Sequence, residues 1–245
     1  TRANDEPGLQ MEWSADKDRY DEPEFRNHTL QRLDHPGEMG HHSARTALDV
    51  CRWLETNHKA DRFFLWVDMF DPHEPWDPPL DYARLYDPDF DSLDGLVPPG
   101  LTSQMTEAQV KNVLTAYAGE VTLVDRWVGH LLDTLKATGK LDDTLVVFTS
   151  DHGCMLGEQC TRLPLFIRHP QGQGAGQRVR GFVQHTDLLP TALALMGLPQ
   201  HERMLGHNVW PHAVPLSGAE RSAARERGGV RMPWPFATPP SPPSA

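Results

Sequence analysis

The chain is short of the features that mark several common protein classes. Lys and Arg total 23 against 34 Asp and Glu, a formal net charge of −11, and no cluster of basic residues interrupts the acidity. Nucleic-acid binding requires Lys/Arg stripes that neutralise phosphates, so no nucleic-acid partner is expected. No run approaches the ~18 consecutive apolar residues of a membrane span, and no membrane partner is expected either. Cysteine is scarce: Cys51, Cys154 and Cys160 fall in no spacing that builds a disulfide framework or a zinc site. Three free thiols fit a reducing compartment and tilt the expectation toward the cytoplasm. The opening Thr1-Arg2-Ala3-Asn4-Asp5-Glu6 has neither a start methionine nor a signal-peptide pattern. It reads as mid-protein sequence, so a targeting signal is not observable and the compartment stays open.

What is present is unevenly distributed. Residues 1–100 carry 22 Asp/Glu against 10 Lys/Arg, while the remainder carries 12 against 13. Residues 1–42 are polar, acidic and aperiodic, the pattern of a loop-rich segment. Residues 43–215 alternate apolar runs with helical periodicity, the pattern of one α/β domain. From residue 216 the chain turns rich in Ala, Arg, Gly, Ser and Pro with no core-forming pattern, and a disordered tail is expected over 216–245.

Within the domain, Ser43 can cap a helix running to about His58, with Ala47, Val50, Cys51 and Leu54 at helical spacing. The continuous apolar run Phe63-Phe64-Leu65-Trp66-Val67-Asp68 suits a strand covered on both faces. Residues 71–100 are so dense in proline that they must be irregular. Val110, Leu114, Tyr117, Val121, Val124, Val128, Leu131 and Leu135 alternate steps of four and three, predicting one long helix over 106–136. Thr106 can cap it and Gly139 can stop it. Strands are predicted at 145–150 and 163–168, with a further one over 178–183. A last helix runs from Thr186/Asp187 to Met196, closed by Gly197. Strands alternating with helices give an α/β sheet with helices on both faces.

Ligands of such sheets gather at the carboxyl ends of the strands, and two polar clusters lie there. Asp151 and His152 follow an apolar strand directly and precede Gly153, which permits a sharp turn. Together they offer a carboxylate oxygen and an imidazole nitrogen to a cation, or simply a turn with a capping Asp. Asp71-Pro72-His73-Glu74-Pro75-Trp76 follows the first strand. Its flanking prolines stiffen the presentation of His73, which can act as a general acid, hold an anionic group, or be solvated.

In order along the chain stand Phe70-Asp71-Pro72-His73-Glu74-Pro75-Trp76, Tyr117-Ala118-Gly119-Glu120-Val121, Val124-Asp125 with Val128-Gly129, and Leu141-Asp142-Asp143-Thr144. Phe148-Thr149-Ser150-Asp151-His152-Gly153, Leu156-Gly157-Glu158, Arg162-Leu163-Pro164-Leu165-Phe166-Ile167 and Thr186-Asp187-Leu188-Leu189-Pro190-Thr191 follow. From about Arg62 to Pro199 this series resembles the sulfatase branch of the alkaline-phosphatase-like superfamily. The resemblance implies a central, mostly parallel sheet with helices on both faces, incomplete at the N-terminus. It implies a hydrolase of small-molecule or glycan sulfate esters. Asp151 and His152 become candidate ligands of a divalent cation, Ca²⁺ first, with Mn²⁺ or Mg²⁺ as alternatives, and His73 the candidate acid at the leaving oxygen.

The departures from the family are as informative. None of the three cysteines stands in the Cys-x-Pro-x-Arg motif whose cysteine becomes the formylglycine nucleophile, so no nucleophile can be assigned. The family's first strand, with its metal-binding Asp residues, is not found. The segment bearing a substrate-contacting Lys, which the family places between Gln159 and Arg162, is replaced by Cys160-Thr161 alone. The expectation is a truncated sulfatase fragment, inactive by itself. The alternatives are a phosphodiesterase or phosphonate monoester hydrolase of the same superfamily, and a non-catalytic binding relative.

Overall fold

A computed structural model describes residues 37–91, 105–153, 163–179 and 181–213. The expectations for most of the acidic N-terminal segment, for the C-terminal tail and for the shortened Lys-bearing segment fall outside those residues. Two compact units are present, Thr1–Gln171 and Gly172–Ala245.

Among the described residues of the first unit, a 3-10 turn, Gly37–Gly40, leads into helix α1, His42–Asn57. Ala44, Ala47, Cys51 and Leu54 form its buried side, close to the expected spacing. Ser43 is not the cap. The N-cap is His41, whose side chain makes no cap bond. Instead the Asp71 carboxylate accepts the Ser43 N–H at 3.0 Å, so a residue 28 positions downstream satisfies one of the helix's orphan donors.

Residues 62–70 form neither strand nor helix. The expected strand over 63–68 is corrected: Phe64 is 82% and Trp66 77% exposed, so the run is not covered on both faces. An apolar run is compatible with a strand, but only hydrogen bonds to a neighbour make one. The chain then turns through 71–79 into the short helix α2, Leu80–Ala83. Trp76, Ala83, Phe90, Val113 and Ala116 pack there as a hydrophobic core, with Leu80, Met105 and Tyr117 against it.

Helix α3, Glu107–Ala137, is the longest element among the described residues. Thr106 caps it through a reciprocal capping box with Gln109. Gly139 at φ +72° ends it, a conformation that costs other residues a Cβ clash. The buried face matches the expected stripe only in part. Val124 and Leu135 are buried as expected, but Val113, Ala116, Gly119, Glu120 and Leu123 are buried beside it, whereas Leu114 is 48% and Val121 40% exposed. Small residues explain the rotation. A Cβ on Gly119 would stand 2.8 Å from Pro78 Cγ, so the face carrying Ala116 and Gly119 is where the loop and α2 approach closest. Thr134 on the same helix donates from Oγ1 to Cys51 Sγ at 3.2 Å, tying α3 to α1.

Strands β1, Val146–Thr149, and β2, Leu165–Arg168, pair antiparallel with Val146 opposite Arg168 and Thr149 opposite Leu165. The expected mostly parallel sheet is therefore not what the described residues form. Apolar runs say nothing of direction, and here no residue of either strand is buried, with Val147 and Phe166 exposed on opposite faces of the pair. Phe148 and Phe166 sit opposite one another with ring centroids 5.8 Å apart.

In the second unit a 3-10 turn, His185–Asp187, leads into helix α4, Leu188–Leu195, followed by Met196 and by Gly197 at φ +68°. The Asp187 carboxylate accepts the Gln184 N–H at 3.0 Å and the His207 N–H at 2.8 Å, holding the returning chain. A short helix α5 spans Trp210–Ala213. No strand forms over 178–183 among the described residues. No helix among the described residues is long and apolar enough to cross a membrane.

Candidate functional site

The loop between the apolar run 63–68 and α2 distributes its side chains to opposite sides. Trp76 is 1% exposed, and its indole N–H donates to the Pro72 carbonyl at 2.9 Å, anchoring the loop to the core. Asp71 turns inward and is 4% exposed. His73, two residues on, turns outward with its side chain 37% exposed. Its backbone N–H donates to the Phe70 carbonyl at 3.0 Å, and its ring leans on Phe70 with centroids 4.9 Å apart. The His73 Nδ1 lies 2.8 Å from the Glu74 carbonyl oxygen. A carbonyl can only accept, so Nδ1 carries the proton and Nε2 is left to face outward chemistry.

Residues that end β1 supply the second half. The His152 N–H donates to Asp151 Oδ1 at 2.8 Å, and His152 Nε2 lies 3.7 Å from Asp151 Oδ2. Ser150 Oγ donates to the His152 carbonyl. The His152 Nδ1 is 2.9 Å from the Gly153 carbonyl, which again assigns the proton to Nδ1. That hydrogen bond, then the Asp151 carboxylate and more weakly Glu74, hold the His152 pKa above the ordinary histidine value, against a small opposing effect of burial.

The structure brings the two halves together: the His73 and His152 rings stand edge to face, 5.7 Å between centroids at 81°. Asp151 joins them through His152. For a cation the donor set is suitable. The neutral His152 ring has its Nδ1–H bound to a backbone carbonyl, the arrangement that aims a lone pair on Nε2 at a metal. Asp151 adds a carboxylate on the same side of that ring, and both remain open to solvent.

A second group of donors was not legible in the sequence. His41, Asp71 and Glu120 come from three separate elements, are 2%, 4% and 1% exposed, and each offers a ligand atom within 4.8 Å of the others. His41 Nδ1 is 3.7 Å from Glu120 Oε1. Glu120 Oε1 also accepts the Asp77 N–H at 3.2 Å. The one signal that could have revealed the group is a glutamate directly after Gly119, within the small-residue face of α3.

Similarity to known proteins points the same way along most of the chain. The family model described as Sulfatase matches residues 3–198. An uncharacterized sulfatase of Escherichia coli, YidJ, is 28% identical over 203 residues, 72% of this chain and 40% of its own length. N-acetylglucosamine-6-O-sulfatase of Bacteroides thetaiotaomicron is 34% identical over 106 residues, 39% of this chain and 19% of its own. The phosphonate monoester hydrolase of Agrobacterium radiobacter superposes with a TM-score of 0.60 at 24% identity, over 79% of this chain and 49% of that one, a likeness of fold. The chain thus spans two fifths or less of the curated relatives named, and about half of that structure.

Proposed function

Because the chain belongs to the sulfatase family, we propose that its first unit forms the cation-binding and leaving-group side of a sulfuric ester hydrolase site. The observation that carries this reading is the edge-to-face approach of His73 to His152 at 5.7 Å, which unites two loops distant in sequence. Asp151 and His152 are the proposed ligands of a divalent cation, Ca²⁺ first, with Mn²⁺ and Mg²⁺ as alternatives. Bound there, such an ion supplies positive charge beside the ester oxygens. His73 is the proposed general acid. With Nδ1–H committed to the Glu74 carbonyl, its Nε2, when protonated, can deliver a proton to the departing alcohol oxygen. Phe70 leaning on the ring, and Pro72 and Pro75 next to it in sequence, limit how far that nitrogen can wander.

The substrate class proposed is a sulfate ester, and a sulfated sugar is the form suggested by the Bacteroides thetaiotaomicron relative. A phosphonate monoester is the second reading, supported by the fold shared with the Agrobacterium radiobacter hydrolase. These 245 residues contain no Cys-x-Pro-x-Arg sequence, so the polypeptide by itself is proposed to be inactive.

An assay separates these outcomes. The 245-residue polypeptide with an aryl sulfate and an aryl phosphonate, in Ca²⁺, Mn²⁺ or Mg²⁺, is expected to show no turnover. Joined to a nucleophile-bearing segment of a relative and matured, it is expected to hydrolyse the sulfate, and His73→Ala should then lose ~10²–10⁴-fold in kcat. Preference for the phosphonate supports the second reading. Turnover by the unjoined polypeptide that vanishes in Asp151→Ala sinks the proposal of inactivity, and silence of the joined protein sinks the hydrolase reading.

A further inference from the structure

The buried donors His41, Asp71 and Glu120 lie apart from the ligand pair at the end of β1 and are not used by the chemistry above. We propose that they form a second divalent-metal site, matched best to Zn²⁺, which clamps the start of α1 and the His73 loop onto α3.

Geometry is the first argument. Zinc holds nitrogen and carboxylate oxygen at ~2.0–2.2 Å, so neighbouring ligands of a tetrahedron stand about 3.3–3.6 Å apart. His41 Nδ1 and Glu120 Oε1 are 3.7 Å apart, beyond hydrogen-bonding distance and close to that edge. All three donors fall within 4.8 Å, so closing onto an ion needs side-chain adjustments of about an ångström or less.

Charge is the second. Two carboxylates and an imidazole share a pocket where each side chain is at least nine-tenths buried. Buried charged groups are held where opposite charge and hydrogen bonds meet them, and a divalent cation among these donors supplies positive charge directly at the ligand atoms. One imidazole with two carboxylates also suits zinc better than the all-oxygen surroundings preferred by calcium.

The surroundings are the third. Both carboxylates are oriented by backbone donors, Asp71 by the Ser43 N–H at 3.0 Å and Glu120 by the Asp77 N–H at 3.2 Å, the kind of outer support that ligating carboxylates receive. Ser43 is fully buried, and its hydroxyl oxygen has no hydrogen-bond partner among the described residues. An ion beside Asp71, or a water on that ion, would give this oxygen the partner that buried hydroxyls normally have.

The experiment uses the whole 245-residue chain with Asp151→Ala and His152→Ala, which removes the other candidate ligands and keeps this test independent of the hydrolase reading. Equilibrium dialysis against Zn²⁺ with elemental analysis is expected to give one equivalent more in this protein than after adding His41→Ala or Glu120→Gln. Zn²⁺ at 100-fold over its Kd should raise Tm by roughly 5–10 °C, an increase those additions abolish. Should the added substitutions prevent folding, X-ray absorption at the zinc edge of the parent decides the matter. One imidazole with two carboxylate ligands supports the site, and sulfur or several imidazoles overturns it. Failure of the parent to retain zinc also overturns it, leaving a buried imidazolium–carboxylate cluster.

Discussion

Two groups of histidine and carboxylate hang from one loop, and they live under opposite conditions. Asp71 points inward to His41 and Glu120, where all three side chains are buried and every donor must be matched. His73 points outward to His152 and Asp151, where 59% of the His152 side chain and 88% of that of Asp151 remain exposed. The chemical types are the same. Burial separates their consequences: inside, a mismatched charge costs stability, and outside, the same residues can change partners at little cost. A two-residue step in a proline-stiffened loop thus carries the chain from a structural environment to a reactive one.

The largest effect should come from the anchor both groups share. Trp76→Ala empties the core position beneath the loop and should cost about 3–5 kcal/mol in chemical unfolding. It should also abolish the His73–His152 approach, visible as loss of cross-ring contacts in NMR. If the exposed pair survives that loss, the two groups are not coupled through the loop.

Next in size is a contrast between two glycines of α3. Gly119→Ala forces a Cβ to 2.8 Å from Pro78 Cγ and should cost about 1–3 kcal/mol. Gly129→Ala meets nothing within 4 Å and should stabilise by about 0.5–1 kcal/mol, measured by the same denaturation curves. Equal effects would mean that the loop is not pressed against the helix.

Asp71→Ala removes the acceptor of the Ser43 N–H and should cost about 1–2 kcal/mol. His73→Ala should change stability by no more than about 0.5 kcal/mol. This pair tests the comparison directly, because similar costs would erase the distinction between inside and outside.

The smallest effect concerns the frame in front of the buried group. The Tyr82 hydroxyl donates to Glu38 at 2.8 Å, and burial, followed by that carboxylate, pushes its pKa up to about 12 from 10.0. A raised pKa favours the neutral phenol in the fold. The associated stability is therefore complete below pH 10.0 and declines as pH rises toward about 12. In Glu38→Gln, phenolate absorbance should show Tyr82 titrating lower, and the decline should become shallower.

Much of the fold was legible in the sequence where local chemistry decides. Thr106, the four-three alternation and Gly139 define α3 almost to the residue, and Gly197 closes the segment after α4. Two short strands stand where β-branched and aromatic residues cluster. What failed depends on a partner. Periodicity marked Leu114 and Val121 as core, yet contact belongs to the face where Ala116 and Gly119 admit the loop. The run from Phe63 to Asp68 looked like a buried strand, but among the described residues no neighbour bonds to it. His73, Asp151 and His152 were singled out because chemistry at strand ends is concentrated in short motifs. His41 and Glu120 carry no such signature, since their meeting depends on three elements packing together.

The bond from Ser43 to Asp71 has a consequence in time as well as in space. An amide at the second position of a helix normally has no partner within its own helix and exchanges its hydrogen with solvent readily. Here that amide is sealed by a side chain from the loop. Its exchange is expected to be slow, and to occur only when the loop lifts away or the whole unit opens. The Ser43 amide is thus a clock, built into the backbone, for how often the His73 loop leaves its seat.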